Sequence, residues 1–192
     1  RYAGFFTTKK AGLDTLVRGR LVGRDREFGQ VKNLWRSAMV GAAEYPVLLI
    51  SGESGIGKTP LVREIKTLAD ISGGEVLSAD CYPGGTAPYA PIAETLRQAL
   101  ALPGTDLPDL VLADLTTLAP ELRTRYPQLV LNQPADHFAN QQRLFESVIS
   151  LFTILTTLSP VLLVIEDVQW ADGETLYLLR HLARRARAAR HR

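Results

Sequence analysis

The chain has 192 residues, 46% hydrophobic and 22% charged, with a formal net charge of +2. That length and balance suit one globular domain with a sizeable core and room for a small appendage, and the low charge gives no ground for a nucleic-acid or acidic-membrane partner. A lone cysteine, Cys81, excludes an internal disulfide and a cysteine-based zinc site, and no apolar run approaches the roughly 20 residues that span a bilayer.

The first stretch, RYAGFFTTKK, lacks the apolar centre of a signal peptide. A reducing, cytoplasmic setting is the simplest expectation. The chain starts without methionine and stops inside a helical pattern, so it is expected to be a piece of a longer protein. Residues 1–20 show no strong periodicity and are expected to be a linker or the tail of a preceding domain, with the folded domain running over 21–192.

From Glu27 to Met39 the residues Phe28, Val31, Leu34, Trp35 and Ala38 recur at helical spacing. YPVLLIS, Tyr45 to Ser51, is a short apolar run before a glycine cluster and predicts a strand buried on both faces. Leu61, Val62, Ile65, Leu68 and Ala69 predict the next helix. GEVLSADCY, 74–82, predicts a second strand, and PIAETLRQAL a helix with proline at its start. Residues 102–134 hold five prolines and predict short helices only, such as 106–118. A long amphipathic helix is expected over 135–158, with a stripe of Phe138, Phe145, Val148, Ile149, Phe152 and Leu155. PVLLVIED, 160–167, predicts a strand. The helix from Gly173 onward is expected to bury Leu176, Leu179 and Leu182. Strands alternating with helices predict an α/β three-layer sandwich with a mainly parallel sheet.

GESGIGKT, Gly52 to Thr59, matches the phosphate-loop pattern in full, between a predicted strand and a predicted helix. A polyphosphate must meet several positive or dipolar groups at short range. Backbone N–H groups of Gly52, Glu53, Ser54, Gly55, Ile56 and Gly57 can form an anion cradle at a helix N-terminus. Lys58 can reach the β- and γ-phosphates, and Thr59 can place its hydroxyl on Mg²⁺. Pro60 departs from the usual pattern, because it has no N–H to offer the α-phosphate. Either the cradle loses a donor there, or Pro60 simply stiffens the turn.

VLLVIEDVQWAD puts Glu166 and Asp167 at the C-terminal end of a predicted strand, the edge where open α/β sheets bind ligands. Adjacent strand residues point to opposite sides, so the two should differ in role. Glu166 is assigned to the metal shell and Asp167 to polarising the attacking water. The alternative is a pair of exposed carboxylates opening a turn. No guanine-specific Asn-Lys-x-Asp pattern occurs.

LVGRDREF at 21–28, GESGIGKT at 52–59 and VLLVIEDVQWAD at 161–172 together resemble the STAND class of AAA-related P-loop ATPases. More narrowly they resemble the ATPase module that large bacterial signalling proteins carry beside LuxR-type DNA-binding, nucleotide cyclase or Ser/Thr kinase domains. The resemblance implies an ASCE/AAA-like core, ATP or ADP with Mg²⁺ as cofactors, and an adenine preference. It implies that Val22, Gly23 and Arg24 lie against adenine and ribose, with a surface turn as the alternative. Trp170 would pack the strand end, Asp172 would cap the next helix, and Arg143 matches a recurrent arginine to which no catalytic role is given. His137 and His181 are expected on helical surfaces.

The resemblance also implies that the module is C-terminally truncated, lacking a sensor strand, a helical lid and a winged helix, so that hydrolysis by this piece is slow. The expected function is an ATP-binding, ATP-hydrolysing switch in signal transduction or transcription regulation. An ADP-holding scaffold and a nucleic-acid-dependent ATPase are the alternatives. Other domains of the same chain and nucleotide-dependent self-association are the expected partners, with no membrane. The terminal arginines Arg180, Arg184, Arg185, Arg187, Arg190 and Arg192 are expected to form a solvated face, favoured near a helix C-terminus, rather than a nucleic-acid contact.

Overall fold

Apolar spacing and backbone breakers set the elements. The computed structural model describes residues 25–42, 47–84, 87–133 and 136–189. The expectations for residues 1–20, for Val22, Gly23 and Arg24, for Tyr45 and Pro46, and for Arg190 and Arg192 lie outside the described residues. In chain order come helix α1 (Asp25–Met39), α2 (Lys58–Ile71), strand β1 (Glu75–Asp80), α3 (Ala90–Leu100) and α4 (Asp109–Leu115). Then follow α5 (Leu122–Arg125), α6 (His137–Leu158), β2 (Val161–Glu166), a 3₁₀ turn (Val168–Trp170) and α7 (Gly173–Ala189).

β1 and β2 pair in parallel, from Glu75 opposite Val161 to Asp80 opposite Glu166. A parallel pair needs a long crossover, and residues 81–160 supply it with α3 to α6. The strands hold apolar groups on both faces. Leu162 packs with Val31, Leu61, Ile65 and Ile50 on the α1–α2 side. Its neighbours Val161 and Leu163 pack on the larger cluster, which includes Leu77, Ile92, Leu96, Val148, Leu151 and Leu178. Helices therefore cover the pair from both sides. On the outer edge of β1, Gln98 of α3 imitates a peptide group. Its Oε1 accepts from Ser78 N at 2.9 Å and its Nε2 donates to Ser78 O at 2.8 Å. A neighbouring strand cannot use those groups as well.

The first predicted strand is corrected. Among the described residues the sheet holds β1 and β2, and Val47 to Ser51 carry no strand pairing. A strand needs a ladder partner, and no described segment lies hydrogen-bonded between this run and β2. Ile50 still packs inward, whereas Leu48 and Leu49 are 49% and 74% exposed. Three finer expectations also shift. In α7 the inner face carries Thr175 and Leu178, while Leu176 is exposed. Phe138, in the first turn of α6, lies outside its buried stripe, at 61% exposure. Trp170 is exposed rather than packed on the strand end.

The proline-rich stretch is held to α6 by a buried carboxylate. Asp114 accepts from Asn132 Nδ2 at 2.6 Å and Arg143 Nε at 2.7 Å on one oxygen, and from Ser147 Oγ at 2.9 Å on the other. This accounts for Arg143 as a structural cation.

Between α2 and β1 the chain turns through Gly74, directly beneath the Trp35 indole of α1. A Cβ there would meet Trp35 Cζ2 at 2.5 Å and the Pro160 carbonyl at 3.1 Å. Gly74→Ala is expected to cost about 1–3 kcal/mol through overpacking, and Trp35→Leu in the same chain should relieve part of that cost. Urea unfolding of both variants checks it, and a neutral Gly74→Ala would refute the clash.

Candidate functional site

The glycine loop takes the form its sequence requires. Gly55 and Gly57 have φ of 77° and 96°, left-handed values that L side chains rarely adopt. No protein atom lies within 4 Å of where their Cβ atoms would be, so strain rather than crowding demands glycine. Gly57 is the N-cap of α2, and no side chain caps that end. The amides of Lys58 and Thr59 thus lack intrahelical acceptors. Pro60, in the first turn, adds no amide. Lys58 folds back over the loop, donating from Nζ to Gly52 O at 2.9 Å and Glu53 O at 2.8 Å. Ile56 N donates to Glu53 O at 3.4 Å, which closes the turn around Ser54.

These groups fit a phosphate. The loop presents uncapped amides, a helix dipole and a flexible ammonium on one open surface. Beside it lies a cleft of about 770 Å³ between α1 and the loop, with Gln30, Leu34, Leu48, Ile50, Gly57 and Lys58 among its walls. Its mix of apolar and polar walls can accept a heterocycle next to the anion site.

Glu166 closes β2, and its Oε1 accepts from Lys66 Nζ at 2.6 Å. Asp167 stands beyond the strand, exposed, with φ 52° and ψ 38°, and its Oδ1 accepts from Gln169 Nε2 at 3.0 Å. Asp167 takes a left-handed backbone conformation just past the strand, and the two carboxylates accept from different partners. Among the described residues no hydrogen bond or ion pair joins Thr59 to Glu166 or Asp167. The two halves of the expected site meet through the body of α2, at Lys66. Nor do three or more His, Cys, Asp or Glu side chains form a cation cage among the described residues. A Mg²⁺ bound mainly through phosphates needs one or two protein oxygens only, and Thr59 and Glu166 have the oxygen donors it prefers.

Around the same edge Cys81 is buried, and burial, then the carboxylates Asp172, Asp167 and Asp80, push its thiol up from the ordinary value. It stays protonated at neutral pH, which argues against a nucleophilic role. Asp172 caps α7 as expected, its Oδ1 accepting from Thr175 N at 2.8 Å and its Oδ2 from the Thr175 hydroxyl at 2.5 Å. Sequence reading missed Lys66, which is one polar residue of an amphipathic helix until the fold brings Glu166 to it. It also missed Gln98, for which only the fold supplies a signal.

His137 is exposed at the start of α6. His181 is half-buried, its ring centroid 5.5 Å from that of Phe145. Arg185 pairs with Glu146 of α6 at 2.9 Å, so part of the basic face is tied to its neighbour.

Residues 20–192 match the AAA ATPase domain family. The chain belongs to that family. It is a family of nucleotide-binding ATPases that use ATP or ADP with Mg²⁺. An uncharacterised protein of Rhizobium meliloti (strain 1021) is 25% identical over 194 residues, covering 91% of this chain. The matched stretch covers 19% of that relative's length. No solved structure gives a significant match. No described helix of the domain is long and apolar enough to cross a membrane.

Burial works to raise the Asp172 pKa, but the bonds from Thr175 and from the Tyr89 amide outweigh it and hold it below the ordinary value. A depressed native value stabilises the fold above the ordinary carboxylate range and is lost as acid titrates through it. Asp172→Ala is therefore expected to cost about 1 kcal/mol at pH 7. The gap to the unsubstituted chain in urea unfolding should narrow at pH 3, and an equal gap at both pH values would contradict this.

Proposed function

We propose that this domain is an ATP-binding and ATP-hydrolysing switch of the STAND class, working inside a larger signalling or transcription-regulatory protein. The observation that carries the proposal is the loop itself. Left-handed Gly55 and Gly57 lead into an uncapped helix, with Lys58 folded over the loop carbonyls. Family membership supports the nucleotide, and the small share of the Rhizobium relative that is covered supports a larger protein around the domain.

The residues divide the work as follows. The loop amides and Lys58 hold the phosphates, Lys58 exchanging its carbonyl partners for phosphate oxygens of higher charge. The cleft beside α1 takes the adenosine half, with Val22, Gly23 and Arg24 expected at its mouth. Thr59 and Glu166 offer oxygens to Mg²⁺, which when bound neutralises the β- and γ-phosphates. Asp167, exposed and outside any ion pair among the described residues, orients and deprotonates water. ADP held as a structural scaffold is the second reading. It is favoured by Pro60, which removes one amide from the cradle, and by Lys66, which already occupies Glu166.

Titration calorimetry with Mg-ADP tests the loop. Lys58→Ala is expected to weaken binding at least tenfold, and equal affinity would overturn the proposal. Pro60→Ala restores an amide worth about 1.5–3 kcal/mol against a charged acceptor, less what water already supplies. It should therefore tighten binding; unchanged affinity would assign Pro60 to stiffening the turn. Phosphate release from the full-length protein separates the switch from the scaffold.

A further inference from the structure

The acidic edge carries one contact for which the proposed reaction has no use. Lys66 lies about two helical turns along α2 from Lys58. Its ammonium is 2.6 Å from Glu166 Oε1, and the two side chains are only 26% and 22% exposed. We infer that Lys66 is a positioning residue that serves as the resident counter-cation of Glu166, so that Mg²⁺ and Lys66 compete for one carboxylate. This rests on the metal-shell role given to Glu166 above.

Three observations converge on it. First, the edge is crowded with negative charge: Asp80 is the register partner of Glu166, and Asp167 follows it directly. Like charges so placed raise the cost of leaving Glu166 without a cation. Lys66 is the cation that pairs there among the described residues. Second, the pair is mostly withdrawn from water. Removing one partner of such a pair leaves an uncompensated charge, and a divalent cation is the next available compensation. Third, Lys66 and the phosphate loop share one helix. Apart from apolar packing, the Lys66–Glu166 contact is the ion pair that ties α2 to β2 among the described residues. When Mg²⁺ takes the carboxylate, that tie loosens, and arrival of the metal reaches α2 directly. Lys66 thus sets how much Mg²⁺ the site requires, without touching nucleotide.

The test uses the full chain with Lys66→Met, which keeps length and removes charge, and Lys66→Arg, which keeps charge. Two quantities are read. One is the Mg²⁺ concentration giving half of the metal-dependent tightening of a fluorescent ADP analogue. The other is the shift of the thermal unfolding midpoint on adding Mg²⁺ without nucleotide. Lys66→Met is expected to need at least fivefold less Mg²⁺ and to show an Mg²⁺-dependent midpoint that the unsubstituted chain lacks. Lys66→Arg should behave as the unsubstituted chain. Normal Mg²⁺ dependence in the unsubstituted chain, with the same or a greater requirement in Lys66→Met, overturns the inference alone. ADP binding with no Mg²⁺ dependence in the unsubstituted chain overturns the role of Glu166 and the inference together.

Discussion

The parallel pairing of β1 with β2 is the constraint on which the remaining structure depends. It joins segments about eighty residues apart and sets Asp80 beside Glu166. Strands running the same way cannot be connected by a tight turn, so the intervening chain must leave one end of the sheet and return to the other. The helices of that excursion, with α7, pack Leu77, Val161 and Leu163 on one face. The α1–α2 pair packs Leu162 on the opposite face. The polar ends of both strands are thereby gathered at one edge, where Cys81, Glu166, Asp167 and Asp172 meet.

The sheet is not symmetric at its margins. Gln98 engages both peptide groups of Ser78, so at that position the outer margin of β1 is already satisfied. The other margin of β2 has no strand against it among the described residues. Of Val47 to Ile50, Ile50 shares a cluster with Leu162. The glycine loop is consequently held by side-chain packing and by α2, not by a ladder of backbone bonds.

Much of this was legible in the residues. Six helices and both strands follow from spacing and from the places of glycine and proline. The long α6 begins two residues later than expected, at His137, with Asp136 capping it. The strand expected over 45–51 does not appear over Val47 to Ser51, because an apolar run carries no information on what will pair with it. Leu176 and Phe138 failed for a related reason, since helical spacing defines a stripe and only the neighbours decide which edge of it is covered. At the site, the loop conformation was readable because each glycine has a backbone reason. The direction of Asp167 was not, since it depends on a left-handed residue just past the strand. Lys66 was invisible because ion pairs across 100 positions leave no local mark.

Asp114 carries a mechanical consequence for any motion of the domain. One carboxylate, 6% exposed, is gripped by Asn132 from the irregular stretch and by Arg143 and Ser147 from α6. Sliding that stretch along α6 would leave a buried carboxyl group without its partners. Moving the proline-rich stretch against the long helix therefore costs three bonds to a buried carboxylate, whereas among the described residues α2 is tied to β2 by apolar packing and one ammonium.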